Sequence, residues 1–284
     1  MTIQHTPPLP TLDNRKSRTS TMATYVVGCY LAATLLAIAF PGTAENPGPV
    51  ALLTLLVPAT VVGALAAAAK LRHRSARLPV LGLRRGGFRF WPIAVAAPAL
   101  TIAIPFAIAR GTGIVTFHEL GLYVLDAPFS LAIMTVLLLG EEVGWRGFLY
   151  GELTAALSPR RAALIVGIIH GLFHIPLLTL TNGYDSAGSR WIVVPGVVAV
   201  ISGAGILFGW LRTRSNSLWP VLIAHAAANT CLLEAPTLVT NRPVLTAAIV
   251  GEGGVLTVAT IAIAATIIWN HASWTAPART VRVA

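Results

Sequence analysis

Residues 140–151 read Gly140-Glu141-Glu142-Val143-Gly144-Trp145-Arg146-Gly147-Phe148-Leu149-Tyr150-Gly151, inside an apolar run from about 128 to 156. A charge at the centre of a bilayer-spanning helix costs roughly 2.5 to 3.5 kcal/mol on insertion scales, so three ionisable residues there need a reason. At about 100° per residue the four glycines fall within roughly 60° of one another, a bare stripe on which a second helix can pack backbone to backbone. Glu142 and Arg146 stand one turn apart, at the spacing of an ion pair, whereas Glu141 points about 100° away and is left for another task. A purely structural ion pair is the alternative reading of the same residues.

The rest of the chain agrees with a lipid solvent. Of its 284 residues 55% are hydrophobic and 11% charged, the balance of a polytopic membrane protein. The net charge of +10 raises nucleic acid as a partner, but no basic run is interleaved with a reading motif, and the basic residues stand between apolar spans. The charge is read as topology, with no nucleic acid. Apolar runs at about 24–40, 49–69, 90–109, 128–156, 161–180, 191–211, 218–236 and 244–269 predict an all-α fold of about eight transmembrane helices.

Placing both termini in the cytoplasm puts 16 of the 20 Lys and Arg residues inside, seven of them between Lys70 and Arg89, leaves only Arg110, Arg190 and Arg242 outside, and keeps Arg146 within the membrane. That asymmetry is the positive-inside pattern. A cysteine introduced at Ser75 is therefore expected to be shielded from an impermeant thiol reagent in intact cells, and one at Ser186 to be labelled. Labelling at Ser75 would overturn this topology.

Residues 1–22, rich in Pro, Thr and Ser, predict a flexible tail, followed by a transmembrane domain at 23–270 and a basic tail at 271–284. A secretory signal peptide competes for the first run, because Gly42-Thr43-Ala44 resembles a small-residue cleavage site; the run is long for such a peptide. The segment 111–127 carries Thr116, His118, Glu119 and Asp126 and predicts a loop or short interfacial helix. Cys29 and Cys231 lack metal-ligand spacing and read as buried thiols.

Further polar residues stand in apolar runs at helical spacing. His225 and Asn229 are four apart and share a helix face, and His170 precedes His174 by the same interval. For a membrane histidine such as His170 the ordinary role is an interhelical hydrogen bond. At 1.5 Å per residue Glu141 and His174 lie about 20 Å, and His225 about 10 Å, from the cytoplasmic ends of their helices, which allows one common site. Buried carboxylates and histidines also make proton relays, so an ion- or proton-coupled transporter is one alternative to an enzyme. A non-catalytic scaffold or immunity protein is another.

The sequence EEVGWR from Glu141 to Arg146 is similar to the EExxxR motif of the CPBP membrane proteins, the family of type II CAAX prenyl endopeptidases and of bacteriocin-processing and abortive-infection relatives. HGLFHIPL from His170 resembles that family's FxxxH motif, with His170 at the aromatic position, and LWPVLIAHAAAN from Leu218 resembles its HxxxN motif. The resemblance covers 128–236 as a protease-like core. It implies an intramembrane endopeptidase in which Glu141 and His174 activate a water, His225 and Asn229 stabilise the oxyanion, and Glu142 and Arg146 complete the catalytic set. The substrate it implies is a membrane-associated or prenylated protein or peptide. The resemblance leaves two forms of this chemistry open, a water activated by the glutamate without a metal, or a divalent metal, zinc, on Glu141, His174 and His225, with His170 a weaker candidate ligand. The Arg-rich, Lys-poor and Ala-rich composition points to the plasma membrane of a GC-rich bacterium.

Overall fold

The protein is described by a computed structural model over residues 12–42, 49–71, 81–83, 86–117, 121–181, 189–234, 239 and 243–275. It is helical throughout, with only an isolated bridge between Phe117 and Val239 in extended pairing among these residues. The helices are α1 (Leu12–Ala39), α2 (Val50–Leu71), α3 (Trp91–Gly111, entered through a 3₁₀ turn) and α4 (Gly121–Leu137). They continue with α5 (Leu139–Leu153), α6 (Pro159–Phe173), α7 (Ile175–Leu180), α8 (Arg190–Ser215), α9 (Trp219–Glu234), α10 (Pro243–Val250) and α11 (Val255–His271).

Among the described residues six helical stretches are long and apolar enough to cross a membrane, α6 with α7 and α10 with α11 each counted as one, and there are seven if α4 and α5, bent by 42° between Leu137 and Leu139, are one span. The eighth expected span is α9. Its 16 residues are about 24 Å long, short of a hydrocarbon core of about 30 Å, and every side chain from Val221 to Ala227 is buried. It is a protein-lined helix at the centre of a multi-pass membrane fold. The outer helices instead present apolar stripes: Leu125, Phe129 and Val136 of α4 and Leu31 and Leu35 of α1 are exposed, as lipid-facing residues are.

Glycine decides where the helices come closest. Gly167 and Gly171 of α6 lie on the backbone of Ser202 and Val198 of α8, and a Cβ on Gly167 would stand 2.6 Å from the Ser202 carbonyl oxygen. The stripe on α5 behaves in the same way. Gly140 and Gly144 abut Leu55 and Pro58 of α2, while Gly147 faces the Leu81 carbonyl. Backbone approach of this kind gains van der Waals contact that larger side chains would forbid.

Several boundaries differ from expectation. Helix α1 is already formed at Leu12, ten residues ahead of the expected end of the tail, because the Ser, Thr and basic residues there continue the helix. Thr21 and Thr24 return their hydroxyls to carbonyls four residues back. Of the segment expected as a loop or short interfacial helix, residues 121–127 are helical and continue without a break into the next run, and His118 lies outside the described residues. At the other end the expected tail is docked at its start: Trp210 Nε1 donates to the Ser273 carbonyl at 3.1 Å and Arg214 to the Thr275 carbonyl at 2.6 Å. The last apolar run is two helices, interrupted at Gly251–Gly254.

Candidate active site

The run that opened the sequence reading is not a uniform α-helix. Leu139–Glu142 and Tyr150–Leu153 are α-helical, but Val143–Leu149 is a π-helix, in which the Tyr150 N–H reaches the Trp145 carbonyl five residues back. A spacing of 100° per residue therefore stops applying at Val143. Such widened turns are frequent at functional sites. Arg212 Nε donates to the Arg146 carbonyl at 3.3 Å, and Gly82, at φ 77°, lies against the Arg212 guanidinium where any Cβ would overlap it. By its place between apolar runs Arg212 is one of the 16 basic residues expected on the cytoplasmic side. It is buried, and part of its work is to support the widened turn.

Four ionisable side chains converge with almost no exposure: Glu141 1%, Glu142 0%, Arg146 1% and His170 1%. Arg146 Nη1 donates to Glu142 Oε1 at 2.7 Å, the pair expected from the i,i+4 spacing. The same nitrogen lies 3.2 Å from His170 Nδ1. A guanidinium has no acceptor, so His170 Nδ1 must accept and the ring hydrogen sits on Nε2. His170 Nε2 then donates to Glu141 Oε2 at 3.1 Å. His225 Nδ1 lies 2.8 Å from Glu142 Oε1 and its Nε2 lies 3.9 Å from Glu141 Oε2. His174 stands at the break between α6 and α7 and donates from Nδ1 to the His170 carbonyl at 3.0 Å, which leaves its Nε2 as an acceptor.

The two glutamates differ in what they face. A cavity of about 310 Å³ runs through the bundle, lined by Glu141, His170, His174, His225 and Asn229 among mainly apolar side chains such as Leu55, Ile102 and Phe208. Glu142 and Arg146 do not reach it. Glu141 Oε1, Glu142 Oε2 and Arg146 Nη2 are all buried without a hydrogen-bond partner, but of these three atoms only Glu141 Oε1 belongs to a side chain on the cavity. Asn229 follows one turn beyond His225 on α9.

All seven expected site residues thus belong to one region of the bundle, and the depth count that set His225 apart is explained by α9. The helix starts six residues before His225, with Ser217 and Leu218 buried and the Leu218 N–H on the Gly82 carbonyl at 2.7 Å. Its first turn is therefore enclosed by protein. His170 proves central where sequence reasoning left it at the margin: its ring also stacks near Trp145, His174 and His225 at centroid separations of 5.2, 5.1 and 5.6 Å. Glu252, which the sequence reading passed over, lines the cavity too. The rule that marked Glu141, a carboxylate in an apolar run, would have found it.

The donor atoms that cluster tightly enough for a metal, within 4.8 Å, belong to Glu141, His170 and His174. His225, expected as the third ligand, is not in that group. A ligating histidine normally donates its second ring nitrogen to a carbonyl or carboxylate, as His174 and His225 can. His170 instead has both nitrogens committed, one to an arginine and one to Glu141. Glu141, His170 and His174 could hold a metal ion once His170 releases one of its two present partners.

Residues 123–231 match the family model for type II CAAX prenyl endopeptidase Rce1-like proteins. A curated relative, CAAX prenyl protease 2 of Methanococcus maripaludis, is 27% identical over 142 residues, 48% of this chain and 51% of the relative. The chain spans about half the length of the curated relative it matches.

Proposed function

We propose, from a central segment that belongs to the Rce1-like proteins of the CPBP family, that this chain is an intramembrane endopeptidase acting on a membrane-associated or prenylated protein or peptide. The observation that carries this reading is the asymmetry of Glu141. One carboxylate oxygen is held by His170, and the other is buried, unpartnered and on a residue that lines the cavity.

The chemistry follows from which groups hold protons. Glu141 Oε1 takes a proton from a water oriented by His174 Nε2 as the water oxygen attacks the substrate carbonyl carbon. The carbonyl π electrons move onto oxygen, giving a tetrahedral oxyanion. Collapse of that intermediate breaks the C–N bond, and the proton held by Glu141 passes to the departing nitrogen, so that the carboxylate is regenerated. Asn229 can donate its amide N–H to the oxyanion. His225 gives Nδ1–H to Glu142, so it donates from Nε2 only as the imidazolium, a cation that would balance the second carboxylate of the pair. Each donor of this kind is worth about 10²- to 10³-fold in rate. Catalysis in this scheme uses the side chains alone.

Comparative proteomics of membranes containing the intact protein or Glu141→Ala tests the reading, with truncated membrane proteins expected only in the former. Hydrolysis of the substrate so identified should survive exhaustive chelation in detergent. Its loss on chelation and return with zinc would show that the reaction uses a metal ion. A matched pair of proteomes together with Glu141-dependent uptake of an ion into proteoliposomes would instead favour a transporter.

A further inference from the structure

Glu252 sits in the four-residue interruption Gly251–Gly254 between α10 and α11, and lines the same cavity as Glu141, His170, His174 and His225. The interruption is held in place by its glycines. Gly253 is packed on Val193 and Val197 of α8, where a Cβ would stand 2.5 Å from the Val193 carbonyl oxygen. Glu252 makes no hydrogen bond or ion pair with any described residue. Arg190, at the start of the adjoining α8, is engaged elsewhere, on the carbonyls of Thr179 and Thr181 at 2.9 and 3.3 Å. A carboxylate on an apolar wall, with no cation among the described residues, is arranged to meet a cation brought by the occupant of the cavity.

Position narrows what that occupant presents. Val250, two residues before Glu252, packs in one apolar cluster with Ala228 and Leu232 of α9. Leu232 is seven residues beyond His225, roughly 10 Å along the helix at 1.5 Å per residue. An extended peptide covers roughly 10 Å in about three residues. We infer that Glu252 forms a subsite for a basic side chain of the substrate, a lysine or arginine about three residues from the scissile bond. The inference rests on the proteolytic reading for the identity of its ligand as a peptide.

The test separates binding from turnover. N-acetylated peptides carrying one lysine at successive positions, with norleucine replacing it in the controls, are titrated against Glu141→Gln protein in detergent, and their cleavage is followed with the otherwise intact protein. Lysine two to four residues from the cleaved bond should improve binding and kcat/KM by roughly tenfold over norleucine, the scale of a charge-assisted contact. Glu252→Gln should remove the preference while still cleaving the norleucine peptide, and Glu252→Lys should transfer it to peptides with aspartate at that position. Cleavage with the same lysine-to-norleucine ratio before and after Glu252→Gln would overturn the subsite and leave the protease intact. Absence of cleavage, with a lysine preference in binding that Glu252→Gln removes, would overturn the protease and leave the cation site. Equal binding of the two peptides by the Glu252 protein would overturn the subsite whatever the turnover.

Discussion

Glu141→Gln is expected to slow peptide hydrolysis by about 10²- to 10⁴-fold, the range of a positioned general base, with little change in abundance or thermal stability. The amide has the shape of the carboxylate and can still accept the hydrogen bond from His170 Nε2, which lies 3.1 Å from Oε2. What it loses is the ability to take a proton at the position of Oε1. His174→Ala should lose activity on the same scale, because its Nε2 is free to orient the water only while Nδ1 is fixed on the His170 carbonyl. If the two residues serve one step, the double variant is scarcely slower than either single one. Initial rates on one substrate for the three variants and the parent measure this directly. Multiplicative losses would mean that the two side chains act on separate steps. Undiminished hydrolysis by Glu141→Gln would assign the reaction to another group.

The contrast between the two glutamates shows what the sequence could and could not convey. Helical spacing was enough to pair Glu142 with Arg146 and to leave Glu141 apart, because an i,i+4 contact survives the change from α to π geometry. It could not supply the partner of Glu141. His170 is 29 residues away on another helix, and it meets Glu141 because Gly167 and Gly171 fix α6 on α8 and so set the angle at which the ring enters the site. A motif comparison places His170 where an aromatic residue is usual, and so undervalues it. The π-helix was illegible for a related reason: one extra residue in a turn leaves no composition signal, and Gly144 and Gly147 read as a packing stripe in either geometry.

The run that forms α9 differs from the other spans in what surrounds it. Apolar content marks a segment that avoids water, and the interior of a helical bundle excludes water as well as lipid does. The run at 218–236 was therefore indistinguishable from a lipid-facing span, although its side chains from Val221 to Ala227 are buried in protein. Glu252 was missed at the opposite extreme. Its surrounding run was apolar enough to be assigned as one helix, and the glycines of Gly251-Glu252-Gly253-Gly254 that interrupt it are common in membrane helices.

Arg146→Ala is expected to damage the fold itself. The guanidinium is nearly inaccessible and has three partners: Glu142 Oε1 at 2.7 Å, His170 Nδ1 at 3.2 Å and the face of Phe208, whose centroid lies 4.8 Å from Cζ. Its removal leaves the Glu142 carboxylate, itself wholly buried, with His225 as its remaining partner. Breaking a buried ion pair from one side costs about 3 to 5 kcal/mol, a large share of the stability of an ordinary domain. The variant should accumulate poorly in membranes and unfold at a lower temperature in detergent, and it should be inactive because His170 no longer holds Glu141 from a fixed position. Arg146→Lys separates charge from shape. An ammonium can neutralise Glu142, but it lacks the planar guanidinium that stacks on Phe208 while Nη1 serves both acceptors. Its stability should fall between those of the parent and Arg146→Ala, and its activity nearer to that of the alanine variant. Melting curves and membrane abundance for the three proteins give the order. An Arg146→Ala protein as stable as the parent would mean that Glu142 is neutralised through His225 alone.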